Sequence, residues 1–232
     1  MKKLLHISLL CIASSAVVYM QADTAVRFLI KNYLPENPVI LDAGAHAGAD
    51  TLKTREVWKG ATIYAFEPMP TLFTQLKENT KNYPNIHCHQ VALSDKTGRA
   101  KFYLSSGSSD CSHSLLAPKD HLKYHPDVFF ERTIEVQAMN LDEWAKQNNV
   151  EHIDFMWLDM QGAEMAMLKA APEILKTVSV IYTEVNFYEV YAGCPKYPEY
   201  RAWLESQGFV VMYEDTKRWV DFGDVLFVRK KK

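Results

Sequence analysis

Short apolar runs alternate with amphipathic stretches along most of this chain. Val26, Leu29, Ile30 and Tyr33 recur at i, i+3, i+4 and i+7, a helical stripe that Pro35 and Pro38 end. Residues 39–41 form the first apolar run, followed by 62–66, 86–93, 153–158 and 178–185. Runs this short, apolar at consecutive positions, predict strands buried on both faces. Between them lie helical patterns: Leu72, Phe73 and Leu76; Met165, Leu168 and Ala171; Tyr200, Trp203 and Leu204, the last closed by Gly208 at the C-cap. This alternation predicts an α/β domain whose parallel sheet is covered on both faces. Two departures stand out. Residues 101–104 and 133–136 read as a strand pair around a Ser/Gly/His-rich loop, 105–126, inserted between the third and fourth core strands. Residues 209–213 and 225–228 are joined without a helix, so they predict an antiparallel C-terminal hairpin and a seven-stranded sheet.

Composition narrows the class. The 232 residues, 48% hydrophobic and 23% charged, describe one globular domain, here assigned to 23–232, and exclude disordered, collagenous and coiled-coil chains. A net charge of −2 gives no basic surface for displacing counterions from phosphates, so no nucleic-acid partner is expected. The one basic cluster, 229–232, reads as a solvated tail. Cys11, Cys88, Cys111 and Cys194 fit no metal-binding spacing, read as buried or half-buried thiols, and nominate no metal site. Residues 1–22 carry a Lys2-Lys3 start and an apolar stretch to Met20, too short and interrupted for a comfortable bilayer span. They read equally as a signal peptide, the one route to membrane contact, or as a hydrophobic N-terminal helix. Cytoplasmic location or export follows from which reading holds.

Candidate chemistry begins at Asp42-Ala43-Gly44-Ala45-His46-Ala47-Gly48, between a strand and a helix. Glycines there let the backbone turn tightly and approach a ligand. Glu67 ends the next strand, where an acid accepts hydrogen bonds from both hydroxyls of a ribose. The glycine spacing is not Gly-x-Gly-x-x-Gly, and the acid preceding it would repel a pyrophosphate. A cofactor with a cationic aminoacyl end suits the turn better than a nicotinamide dinucleotide.

With 65–68 (Ala-Phe-Glu-Pro), 91–95 (Val-Ala-Leu-Ser-Asp) and 158–164 (Leu-Asp-Met-Gln-Gly-Ala-Glu), the chain from 38 to 228 resembles the FkbM family of S-adenosylmethionine-dependent O-methyltransferases. The resemblance implies a Rossmann-like class I methyltransferase fold, with a mostly parallel sheet and an antiparallel C-terminal hairpin. It implies S-adenosyl-L-methionine held by Asp42, Gly44, Ala45, Gly48, Glu67 and Pro68, with Ala92 and Leu93 near its adenine. Gln161 departs from the Glu common in that family. The expected reaction is methyl transfer to a hydroxyl of a small-molecule acceptor: a sugar, a polyketide or another compound. A non-catalytic exported nucleotide-binding protein and an NAD-dependent oxidoreductase are the competing classes.

Asp159 and Glu164 are the catalytic candidates. Asp159 follows the fourth core strand, where it can orient an acceptor or take its proton, and a metal between it and Glu184 is left open. Glu164 reads equally as a surface acid favouring a helix N-terminus. His87 and His89 share a strand face but lack a third ligand, and His113 and His121 read as loop residues, substrate-facing or solvated. Phe187, Tyr188, Tyr191, Tyr197 and Tyr200 read either as an acceptor-pocket wall or as packing.

Overall fold

A computed structural model describes residues 25–230. The signal-peptide reading of 1–22 and Cys11 lie outside them. Among the described residues, no helix is long and apolar enough to cross a membrane. The described part of helix α1 (25–31) buries Val26 and Ile30, as their spacing predicts. Its Arg27 is 1% exposed, stacks 4.0 Å over Trp157 and donates to Asp50 of α2 (Ala49–Val57) at 2.6 Å, which fastens the two helices together.

The main sheet holds β1 (Val39–Ala43), β2 (Thr62–Phe66), β3 (Ile86–His89), β7 (Phe155–Leu158), β8 (Val180–Asn186), β9 (Phe209–Asp215) and β10 (Phe222–Arg229). Their order is β3-β2-β1-β7-β8-β10-β9, with β10 antiparallel to both neighbours and the remaining pairs parallel. Successive residues alternate faces: Ile40 packs into one core cluster and Leu41 into the other, as do Val180 and Ile181. The strand order turns back at β1, so a crevice opens past its carboxyl end between β1 and β7.

Helix α3 (Pro70–Thr80) opens on Pro70, whose missing N–H is not needed there. A second sheet, β4-β6-β5, holds β4 (Ala92–Leu93), β5 (Gly98–Gly107) and β6 (Val128–Met139). The predicted run 86–93 is therefore two strands: the chain leaves the main sheet after His89, and Ala92-Leu93 pair with Ala138-Met139. An apolar run does not say which partner each half finds. The loop between β5 and β6 carries one helical turn, α4 (His121–Tyr124), and a bridge from Pro118 to Tyr191 that ties it to the segment following β8.

Helix α5 (Leu141–Gln147), which the sequence reading does not anticipate, buries Leu141, Trp144 and Ala145 at i, i+3 and i+4. Asn140 starts it by accepting from the Glu143 N–H at 3.2 Å. Of the stripe 165–171, Met165 and Leu168 lie on α6 (Glu164–Lys169) and Ala171 caps a separate helix, α7 (Pro172–Thr177), because Pro172 cannot continue a helix interior. After α8 (Tyr197–Ser206), Arg229 corrects the tail reading: it ends β10 and donates to the carbonyls of Leu175, Val178 and Gln207. It thereby supplies donors to carbonyls at the C-terminal ends of α7 and α8.

Candidate active site

The β1–α2 turn is shaped by three left-handed residues, Gly44 (φ 85), His46 (φ 50) and Gly48 (φ 90). A Cβ on Gly44 would stand 1.8 Å from the Asp159 carbonyl oxygen, so only glycine lets β1 and β7 come this close past their ends. The Gly44 and Ala45 N–H groups donate to the Phe66 carbonyl. Beneath the turn, Asp42 is buried and accepts from Thr51 at 2.5 Å, and burial raises its carboxyl to about 7.

Glu67 is 5% exposed although it stands at a strand end. Its two oxygens accept from the backbone N–H groups of His46 (2.9 Å) and Met69 (2.7 Å). Desolvation lifts its carboxyl to about 7 against those two bonds. Glu67, Pro68, Gly44, Ala92, Leu93 and Asp159 all line one cleft of about 470 Å³. Asp42, Ala45 and Gly48 stand behind it: Ala45 is buried in the core, and Gly48 turns the chain at the start of α2 against Leu76. His113 completes the cleft wall and is not a solvated loop residue. Its Nδ1 accepts from the Ser105 N–H at 2.8 Å, which leaves its proton on Nε2, and burial lowers its basicity.

The turn after β7 brings the carboxyls together. Gln161 (φ 53) and Gly162 (φ 95) are left-handed, and the Gln161 side-chain amide donates to Asp159 (2.7 Å) and Glu184 (3.2 Å). Where the sequence leaves room for a metal between Asp159 and Glu184, an amide N–H stands instead. Tyr191 donates to the Gln161 Oε1 at 2.6 Å, which fixes that amide's orientation. Asp159 is crowded by protein yet open to cleft solvent. Desolvation pushes its carboxyl up, and desolvation pushes that of Glu184 up further. Glu164 is 2% exposed, so the surface-acid reading does not hold. One of its oxygens accepts from Met160 (2.7 Å) and Gly162 (3.3 Å), pinning the turn from inside the core, and burial raises its carboxyl to about 7.

A second cleft, of about 1020 Å³, meets the first at Asp159. Gln161, Glu184, Asn186 and Tyr191 line it, with His121, His125 and Asp221 nearby and the stacked rings of Trp219 and Phe222 (5.3 Å, 17°). His125 Nε2 and Asp221 are 2.7 Å apart. His121 is buried, not solvated, and desolvation lowers its pKa to about 4. Of the aromatic group read from the sequence, Tyr191 lines this cleft. Phe187, Tyr197 and Tyr200 pack on the main core, and Tyr188 stacks on Tyr124. His87 and His89 stack on Tyr64 and Phe66. Asn186, Trp219 and Asp221 carry no sequence signal that separates them from surface residues.

A family model described as the methyltransferase FkbM domain matches residues 42–211. The 2-O-methyltransferase NoeI of Sinorhizobium fredii is 35% identical over 68% of this chain and 67% of its own. The hexuronic acid methyltransferase AglP of Haloferax volcanii is 24% identical over 69% of this chain and 61% of its own. Among solved structures, the magnesium protoporphyrin IX methyltransferase of Synechocystis PCC 6803 with bound S-adenosylmethionine superposes with a TM-score of 0.53. It is 12% identical over 92% of this chain and 81% of its own, a likeness of fold.

Proposed function

Because this chain belongs to the FkbM methyltransferase family, and is an S-adenosylmethionine-dependent methyltransferase, we propose that it methylates a hydroxyl of a sugar-like acceptor held in the second cleft. The observation that carries this reading is the meeting of the two clefts at one carboxylate, Asp159. When bound, S-adenosylmethionine supplies a methyl group on a positively charged sulfur. The first cleft suits that cofactor. Glu67 offers a ribose its buried acceptors, Ala92 and Leu93 give an apolar wall, and Asp42, Glu67 and Asp159 together repel a pyrophosphate.

The second cleft suits a sugar. The face of Trp219, 44% exposed, offers a platform for the C–H face of a pyranose, and Glu184, Asn186 and Asp221 offer acceptors and a donor to its hydroxyls. In this reading Asp159 orients the acceptor hydroxyl and takes its proton as the oxygen is methylated. Gln161 and Glu164 are positioning residues that hold the Asp159 turn. The names of NoeI and AglP, a 2-O-methyltransferase and a hexuronic acid methyltransferase, support a sugar acceptor.

The test is transfer of label from methyl-tritiated S-adenosylmethionine to a panel of pyranosides and hexuronosides. The expected product holds its label in alkali, as an ether does. Alkali-labile label would mean carboxyl methylation and overturn the hydroxyl reading. Calorimetry run beside it with S-adenosylhomocysteine separates a protein that does not bind the cofactor from one that binds it and methylates no member of the panel.

A further inference from the structure

Outside the two clefts' catalytic lining, one group of three side chains converges on a common centre, with the Cys111 thiol in long contact with both partners. His46 Nε2, Asp110 Oδ1 and Cys111 Sγ are 3.7, 3.9 and 3.7 Å apart around the triangle, and among the described residues they form the one group of three such donors. The N···O separation of 3.7 Å is too long for a hydrogen bond, and the two thiol contacts are long and weak, so no short bond closes the triangle. A triangle with these edges has a circumradius of about 2.2 Å, which matches zinc distances of roughly 2.0–2.1 Å to nitrogen, 2.3 Å to sulfur and 2.0–2.2 Å to carboxylate oxygen. Drawing the donors in by a few tenths of an ångström lifts the ion out of their plane into a tetrahedron with one open corner.

We propose that His46, Asp110 and Cys111 bind a divalent zinc-class ion that ties the 108–111 loop to the β1–α2 turn at the mouth of the clefts. The backbone prepares the site from one side. His46 takes a left-handed conformation while its N–H is held by Glu67, and its imidazole reaches out across the turn to the loop. Imidazole and thiolate are the ligand types that zinc prefers, and three protein ligands with one free position is the arrangement of sites that keep a place for water or substrate. Cys111 belongs to the wall of the second cleft, so the ion borders the acceptor space. Two carboxylates near the thiol, Asp110 and Asp159, give the site a negative field that favours a cation.

The site is independent of the acceptor's identity and is tested without one. Full-length protein stripped with chelator is titrated with Co²⁺ and followed by absorption, then competed with Zn²⁺. The expected result is one tightly bound ion with a thiolate-to-cobalt band in the near ultraviolet and the visible bands of tetrahedral cobalt. Cys111→Ser should lose the thiolate band, and His46→Ala should weaken binding by more than the roughly 10–100-fold that loss of an outer-shell partner causes. Cys88→Ser, whose thiol lies against Thr80, should leave the spectrum unchanged. Absence of binding, a spectrum without the thiolate band, or equal affinity in wild type and His46→Ala would each overturn the site. Circular dichroism of each variant shows that the fold is retained.

Discussion

The first cleft is built mainly from backbone and small apolar residues, the second from charged and aromatic side chains. Gly44, Glu67 and Ala92-Leu93 come from three short turns, each directly following a strand or forming one. The second cleft draws its walls from the 108–128 loop, the β7 and β8 ends, and the segment 219–222. A cofactor of constant shape is met by backbone geometry that a short motif encodes. An acceptor is met by side chains that converge only after folding. Asp159 belongs to both, and its neighbours show the division of labour: its carbonyl sets the close approach to Gly44, while its carboxyl faces Gln161.

If the two clefts divide the work in this way, their variants separate binding from turnover. The largest effect is expected at the shared carboxylate. Asp159→Asn keeps an oxygen for the Gln161 amide but removes the proton acceptor, and should cut turnover by about 10²–10⁴-fold with little change in cofactor affinity. Calorimetry with S-adenosylhomocysteine, beside turnover on the pyranoside that takes label in wild type, checks it. Equal loss in both readouts would dissolve the division.

Next in size is Gly44→Ala, confined to the first cleft. A methyl group 1.8 Å from a carbonyl and a left-handed φ together should cost about 2–4 kcal/mol of stability and abolish cofactor binding. Chemical denaturation and calorimetry read the two effects separately.

Glu67→Ala should weaken cofactor binding about ten-fold to a few hundred-fold, at about 1.5–3 kcal/mol per hydrogen bond to a charged group. It also frees the His46 and Met69 N–H groups, so a modest loss of stability accompanies it. Glu67→Gln keeps one acceptor oxygen but sets an amide NH₂ against the second N–H donor, and should fall between wild type and Ala.

The smallest effect concerns the turn's internal pin. Glu164 is raised from 4.5 to about 7 in the folded protein, so its protonated form favours folding, and that contribution is lost as pH rises through 7. Glu164→Gln, which cannot ionise, should therefore gain stability relative to wild type by about 2 kcal/mol between pH 5.5 and 8, or roughly 4–8 °C in melting temperature. A difference that does not change with pH would mean that Glu164 stays charged in the fold.

Much of the architecture was legible because strand and helix periods are local. The apolar runs at 39–41, 62–66, 153–158 and 178–185 all became sheet strands, and 209–213 and 225–228 paired antiparallel. The reading failed where pairing partners or polar caps decided the outcome. The break after His89 depends on Ala138, and the start of α5 depends on the Asn140 cap, with an apolar stripe only three residues wide, Leu141, Trp144 and Ala145, to mark the helix. The Arg229 contacts depend on carbonyls of two helices that no local pattern connects.

By itself the sequence determined the α/β alternation, the glycine turn and the acid that ends β2, because each is a local consequence of backbone conformation and side-chain period. It also carried the motifs that mark a methyltransferase. Only the tertiary structure decided that Glu164 is an internal pin and that Gln161 stands between two carboxyls. The same is true of the convergence of His46 with Asp110 and Cys111. These outcomes depend on burial and on groups far apart in the chain, and burial and distance exist only once the chain has folded.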